Sequence, residues 1–314
     1  GEIKAMSNLD RAKDGSGYYE MANHAVVRME PGSTFKTISL MAALDDGKVK
    51  MKDTIRVEHD GWWYHGAKHM DAHPSDTVYT IRQAMAVSSN IALAKIVTDG
   101  YNGSAKKFVK KLRNMGLCDS VDFTIPGANQ ALINVPNDTV TISKMAYGYS
   151  VELSPLQILM FYNGIANDGK MISPLFVKEI RKDGKTIEEF ESTVIKGSMC
   201  DDSTLEGVRE CLHDVVWDNE LGTASVNPWG TRKAQSNLVT IAGKTGTAQV
   251  LERGYHNTRH RMSFVGYFPE DHPQYSCICV IHAPKWPYDS GLDCGGVVRQ
   301  VAEKTMAYAG EYVY

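Results

Sequence analysis

Two apolar runs of strand composition, Arg261–Phe268 and Tyr275–His282, flank the short segment Pro269-Glu-Asp-His-Pro273. A segment bounded by two prolines cannot continue a hydrogen-bonded ladder, so it reads as a turn. The runs are then neighbouring antiparallel strands. A third run, Leu238–Thr247, alternates ahead of them, with Leu238, Thr240 and Ala242 on one face. After them, Val297, Val298, Val301, Ala302 and Met306 recur at helical spacing. The chain therefore ends in an antiparallel meander closed by a helix.

The part before the meander has a different period. After Met29-Glu30-Pro31-Gly32, Phe35, Ile38, Met41, Ala42 and Leu44 predict a helix ended by Gly47. Residues 59–80 are rich in His, Trp and Tyr without a clear period and read as a loop. Thr80–Thr98 reads as a helix or helix pair. Gly103-Ser104 starts another, carrying Phe108, Val109 and Leu112. Residues 140–168 read as further helix broken by Pro155. With helices in the middle and a meander at the end, the expected fold class is α+β. It has an antiparallel sheet flanked by helices and a helical region, roughly 45–235, inserted into a single domain, 1–314. No repeat or low-complexity linker divides the chain.

A net charge of -3 argues against a nucleic-acid partner, because binding phosphates needs a basic surface. No apolar run approaches the roughly 18 residues of a membrane span, and the opening GEIKAMSNLD is not a signal peptide. The chain starts at Gly1, which predicts a part excised from a longer protein. Of the six cysteines, Cys118, Cys200, Cys211, Cys277, Cys279 and Cys294, none forms a C-x-x-C pair. They read as small buried thiols, and Cys277 and Cys279, two apart on a strand, share a face without bridging.

Three short motifs occur in order: Ser33-Thr34-Phe35-Lys36 (S-x-x-K), Ser88-Ser89-Asn90 (S-x-N) and Lys244-Thr245-Gly246-Thr247 (K-T-G-T). Each alone is weak, because Ser104-Ala-Lys-Lys107 and Ser225-Val-Asn227 repeat the first two patterns. Context separates them. Ser33 and Lys36 lie three apart at a helix start, on one face, beside free amides and the positive end of the helix dipole. A serine hydroxyl is a poor nucleophile until a base takes its proton. A lysine can be that base only if burial or cationic neighbours lower its pKa, and Lys36 sits on an otherwise apolar helix. Ser104 follows Gly103 and reads as a helix cap, and Ser225-Val-Asn227-Pro228 as a turn. Lys244–Thr247 ends a predicted strand, where Gly246 permits close backbone approach by a ligand and the hydroxyls of Thr245 and Thr247 can bind a carboxylate.

These motifs, in this order, resemble those of the β-lactamases and penicillin-binding proteins. The likeness is widest to the transpeptidase domain of class B penicillin-binding proteins. It is carried by Gly1-Glu-Ile-Lys-Ala-Met6, Glu30-Pro-Gly-Ser-Thr-Phe-Lys36, Ala86-Val-Ser-Ser-Asn-Ile-Ala-Leu-Ala-Lys95, Gly148-Tyr-Ser-Val-Glu-Leu-Ser-Pro-Leu-Gln157 and Ser263-Phe-Val-Gly-Tyr-Phe-Pro269, and spans nearly the whole chain. The form of the first serine motif and the Gly-Tyr-Ser block look closer to the cell-division branch than to the elongation branch.

The resemblance implies a fold like that of penicillin-binding transpeptidases and serine β-lactamases. It implies an upstream membrane anchor and pedestal domain, an extracytoplasmic place in the bacterial envelope, and glycosyltransferase and division-complex partners. It implies no cofactor. The expected substrates are peptidoglycan stem peptides, with β-lactams as covalent inhibitors. Ser33 would attack the D-Ala–D-Ala carbonyl and Lys36 would accept its proton. Ser88 would relay a proton to the leaving amine with electrostatic support from Lys244. Asn90 would bond the peptide side of the substrate, and Thr245 and Thr247 its carboxylate. The backbone N–H groups of Ser33 and Thr247 would form an oxyanion hole.

Three other readings fit parts of the sequence. A serine β-lactamase shares the acylation chemistry, but a β-lactamase needs a base that activates water. Glu152 is the nearest acidic candidate, and its surroundings, Val151-Glu-Leu-Ser-Pro155, lack a companion asparagine. A non-catalytic sensor of β-lactams is the second. A zinc site built from His59, His65, His69, Asp71 and His73 is the third, and its spacing follows no compact zinc signature. The expected metal content is none.

Overall fold

The computed structural model describes residues 1–117, 125, 127–135, 138–250, 259–284 and 287–310. Cys118 lies outside them. The carboxy-terminal meander forms as expected: strands β5 (Ala242–Val250), β6 (Arg259–Phe268) and β7 (Tyr275–His282) make an antiparallel sheet with β6 in the centre. Side-chain alternation sorts its two faces. Met262, Phe264 and Phe268 pack with Val298, Ala302 and Met306 of α8 (Gly296–Ala309). Val265 and Tyr267 join the larger core built on Phe161, Tyr162 and Ile165 of α6 (Pro155–Ala166). A strand buried on both faces is apolar throughout, which is why the sequence around Phe264 is continuous in hydrophobicity.

Helix α1 (Phe35–Asp45) runs through the interior, with Phe35 to Ala43 all buried. A helix buried on every side, with few polar residues, lies inside a core. Around it pack α3 (Asn90–Gly100), α4 (Ala105–Asn114) and α7 (Asp202–Trp217). Helix α2 (Ile81–Ala86) lies on α7, tied to it by an Arg82 guanidinium that clamps both carboxylate oxygens of Asp214 at 2.6 Å. Helix α5 (Thr141–Met145) packs against α3. The fold is the expected α+β type, an antiparallel sheet covered by helices.

Several local expectations change. Pro155 does not break a helix. It is the first residue of α6, where its missing N–H costs nothing, behind a capping box of Ser154 and Gln157. The helix expected over 140–168 is thus α5 and α6, with a two-residue strand, Val151–Glu152, between them. Residues 59–80 are not a loop throughout. Strands β2 (Trp62–Tyr64) and β3 (Ala67–His69) form a hairpin, and β4 (Thr77–Thr80) pairs with β1 (Thr54–Val57). The hairpin turn is His65-Gly66, both at positive φ, the geometry that matches strand twist. Strands of three residues are too short to display a period. A second exposed ribbon, Glu179–Lys182 with Lys185–Glu189, turns in the same way through Asp183-Gly184. Ser104 caps α4, accepting from the Lys107 amide, and Ser225 and Asn227 lie in a turned loop where Asn227 accepts from Trp229 and Thr231.

The third strand is displaced from its expected place. It spans Ala242–Val250, not Leu238–Thr247, because pairing with β6 begins only at Ala242↔Tyr267. Leu238 is exposed, so its alternation with Thr240 carries no burial. Lys244–Thr247 therefore lie in mid-strand.

One contact fixes the loop that contains Ser33. Gly148, at φ +91, sits against Gly32, whose amide donates to the Gly148 carbonyl at 3.2 Å. A Cβ at Gly148 would stand 2.1 Å from the Gly32 carbonyl oxygen. Gly148→Ala combines backbone strain with a collision against backbone, and is expected to destabilise the domain by about 2–3 kcal/mol. A denaturant titration showing a loss below about half a kcal/mol would mean that this contact does not hold the loop.

Candidate active site

Ser33 lies in a single 3-10 turn, Gly32–Thr34, that runs without a break into α1. It precedes the α-helix and does not open it. Thr34 Oγ1 donates to the Pro31 carbonyl at 3.0 Å. From α6, the buried Tyr162 hydroxyl donates to the Thr34 carbonyl at 2.9 Å and is bonded to Thr37 Oγ1 at 2.7 Å. The turn is thus held at both ends. The Ser33 side chain is half-buried, and its hydroxyl has no hydrogen-bond partner among the described residues.

The turn packs on β5, the edge strand of the sheet. Gly246 explains how closely. A Cβ there would meet Ser263 Oγ at 2.3 Å and Thr34 Cγ2 at 2.9 Å. The close approach that Gly246 permits is therefore made by the protein's own serine turn and by β6.

Lys36 is fully buried in α1, and burial lowers its pKa to about 7, with the carboxylate of Asp71 pulling the other way. Its Nζ donates to the carbonyl and, at 3.0 Å, to the hydroxyl of Ser88. Ser33 and Lys36 share a face, yet no hydrogen bond joins them; the ammonium is turned to Ser88.

Ser88 occupies the break between α2 and α3. Its φ is +58, left-handed backbone that favours glycine. The Ser88 amide bonds the Met85 carbonyl and the Ser89 amide bonds the Ala84 carbonyl at 2.9 Å. This is a Schellman ending with serine in the glycine position. A serine there costs about 1–3 kcal/mol of backbone strain. Ser89 then caps α3, accepting from the Ala92 amide. Asn90, the first residue of α3, donates from Nδ2 to the Met70 carbonyl at 2.7 Å and leaves Oδ1 without a partner among the described residues.

Lys244 is also fully buried, and its pKa is pushed well below the usual lysine value, first by burial and then by Lys36. Its Nζ donates to the Thr245 carbonyl at 3.2 Å and the Thr245 hydroxyl at 3.4 Å. The two threonines differ. Thr245 is buried and shares a 2.7 Å hydrogen bond with Thr223, whereas Thr247 is exposed and donates to Ser290 Oγ at 3.4 Å. Thr223 and Ser290 carry no signal in the sequence, because each comes from a segment with no motif of its own, and Asp71, weighed there only as a zinc ligand, is instead bonded to Ser89, Asn90 and Ile91.

In the histidine-rich segment His69 and Asp71 are engaged in structural hydrogen bonds, while His59, His65 and His73 are exposed. Ser143 Oγ donates its only proton to the Val140 carbonyl, so it accepts from His69 Nε2 at 3.0 Å. That leaves His69 Nδ1 to accept from the Tyr147 hydroxyl at 2.8 Å. His69 is buried, its pKa lowered to about 4, and neither ring nitrogen is left for a metal. Asp71 is bound to the start of α3. Among the described residues, no group of three or more His, Cys, Asp or Glu is placed to hold a metal ion. Cys200, Cys211 and Cys294 are buried and Cys277 and Cys279 half-buried, all as free thiols.

The likeness to known proteins covers the same elements. The chain is 27% identical over 308 residues to the penicillin-binding protein PbpB of Mycolicibacterium smegmatis, covering 91% of this chain and 45% of that protein. It is 27% identical over 273 residues to stage V sporulation protein D of Bacillus subtilis, covering 82% and 38%. It thus spans less than half the length of either relative. The structure of penicillin-binding protein 2X from Streptococcus thermophilus superposes with a TM-score of 0.82 at 22% identity, over 96% of this chain and 44% of that one. The model of the penicillin-binding protein transpeptidase domain matches residues 1–306, and the chain belongs to that family.

Proposed function

We propose that this chain is the catalytic domain of a peptidoglycan D,D-transpeptidase of the cell-division type, acting through an acyl-enzyme on Ser33. The observation that carries the reading is the buried Lys36, poised near neutrality and bonded to Ser88 beside the Ser33 turn. Neutral Lys36 takes the Ser33 proton as the hydroxyl attacks the D-Ala–D-Ala carbonyl. The amides of Ser33 and Thr247 receive the developing oxyanion, a device worth about 10²–10³ in rate for each donor. Ser88, bonded to Lys36, passes a proton to the departing D-alanine nitrogen. Lys244 lends positive potential to this step. Thr247 presents its hydroxyl to the substrate carboxylate, and Thr245 lies behind it on Lys244. Asn90 Oδ1 accepts from the peptide side of the substrate. An amine of a second stem peptide then takes the acyl group, and Ser33 recovers its proton.

β-Lactams present the same carboxylate and reactive carbonyl, and enter the first half of this cycle as covalent inhibitors. The full-length protein is read as anchored at the extracytoplasmic face of the membrane, with a glycosyltransferase and division proteins as partners. Among the described residues no helix is long and apolar enough to cross a membrane.

The reading predicts a long-lived adduct. Rapid hydrolysis would require a base that activates water, worth about 10²–10⁴ in rate. Glu152, the nearest candidate, is engaged by Arg28 at 2.8 Å. After labelling with a fluorescent penicillin, peptide mapping should find the adduct on Ser33. Mass spectrometry should find it still there hours after excess drug is removed. Return of the unmodified mass within seconds, with repeated turnover, would identify a β-lactamase instead.

A further inference from the structure

Asp71 belongs to none of the three motifs, yet both of its carboxylate oxygens are bonded to one of them. Its Oδ1 accepts from the Asn90 amide at 2.5 Å and the Ile91 amide at 3.0 Å. Its Oδ2 accepts from Ser89 Oγ at 2.7 Å, and Ser89 Oγ in turn accepts from the Ala92 amide. Asn90 answers by donating to the carbonyl of Met70, the residue before Asp71. The segment after β3 and the start of α3 are thus laced together by reciprocal bonds. The segment is fixed independently by His69, buried against Tyr147 and Ser143.

We propose that Asp71 is a positioning residue of the active site, holding the strained Ser88 turn against Lys36 from the α3 side. This deepens the transpeptidase reading and rests on it. A left-handed serine persists only where its surroundings over-determine it. The Schellman bonds to Ala84 and Met85 hold Ser88 from the α2 side. Asp71 supplies the opposite constraint by fixing Ser89 and Asn90, the next residues in the chain. Without it the turn can relax towards right-handed backbone and carry the Ser88 hydroxyl away from Lys36 Nζ. The carboxylate has a second effect. Among the described residues, the charged groups that face Lys36 are Asp71, which favours its protonated form, and Lys244 on β5. When Lys36 takes the Ser33 proton, Asp71 stabilises the ammonium that forms.

Asp71→Asn keeps the shape and one acceptor oxygen but removes the charge, and Asp71→Ala removes both. The measurement is β-lactam acylation of the intact chain across neutral pH, separating the initial binding constant from the acylation rate, with thermal melts alongside. For Asp71→Asn the acylation rate should fall and its rising limb should move to lower pH, while initial binding holds. For Asp71→Ala the rate should fall by about 10²-fold, the scale of a misplaced catalytic group. A limb at the wild-type pH in folded Asp71→Asn, or a loss fully explained by a smaller folded fraction, would overturn the inference alone. Failure of the wild-type chain to label at Ser33 would overturn the transpeptidase reading and this inference together.

Discussion

Replacing Lys36 by arginine should suppress acylation of Ser33 as completely as replacing it by alanine. Arginine keeps the charge and the donors but cannot release its proton, so it cannot serve as base. The expected loss is about 10²–10⁴ in acylation rate, the range of a positioned base. A guanidinium at a fully buried site can also unfold the chain, so Lys36→Met provides the control. Methionine fills similar space, carries no charge and should be equally inactive. Its stability separates the two causes. The native pKa of Lys36 is about 7, below the roughly 10.4 of an unfolded chain. Between these values the unfolded state binds the extra proton, so stability rises with pH across this window, and below it the buried charge is a full cost. Lys36→Met should therefore be at least as stable as the wild type at neutral pH while failing to label. In the wild-type enzyme, acylation should fall about tenfold for each unit below about pH 7, as Lys36 takes up its proton. Near wild-type labelling of Lys36→Arg, or a flat profile through neutrality, would refute the assignment of the base.

Ser88 offers a sharper test, because the same residue should carry opposite signs for stability and rate. Ser88→Ala and Ser88→Gly both remove the hydroxyl bonded to Lys36. Both should slow the overall transfer by about 10²–10⁴ if Ser88 relays the proton. They differ in the backbone. Alanine retains the cost of left-handed φ, whereas glycine is at ease there and loses only part of the gain to its freer unfolded chain. Ser88→Gly should therefore exceed Ser88→Ala in stability by about 1 kcal/mol. Denaturant unfolding of the pair, read beside their acylation rates, gives both numbers. Equal stability of the two would mean that the turn is not strained, and an active Ser88→Gly would remove the hydroxyl from the mechanism.

Residues that act through local chemistry are legible in the sequence. The meander follows from two apolar runs around a proline-bounded turn, because a strand buried on both faces must be apolar along its length. The nucleophile and base roles expected of Ser33 and Lys36 come from residue type and spacing, whereas those expected of Ser88 and Lys244 are what the family resemblance implies. Ser104 is separated from Ser33 by its neighbours, and its cap on Lys107 agrees. Where periods are short the sequence misleads. The β2–β3 hairpin has three residues a side, and the alternation of Leu238 with Thr240 suggests a pairing that begins only at Ala242.

What the sequence by itself determined is the carboxy-terminal meander with its closing helix, the helix after the first serine motif, and the family likeness that the three motifs carry. These depend on residues within a few positions of one another, where covalent spacing fixes which side chains share a face. Only the tertiary structure decided that Lys36 reaches Ser88 and not Ser33, and that Thr245 is covered by Thr223 while Thr247 stays open. It alone also showed that Gly246 makes room for Thr34, and that Asp71 braces the start of α3. Each of these contacts joins segments distant along the chain, or turns on which side of a strand another loop happens to cover. Such proximity is set by how the helices and the sheet pack together, and no local pattern of residues encodes it.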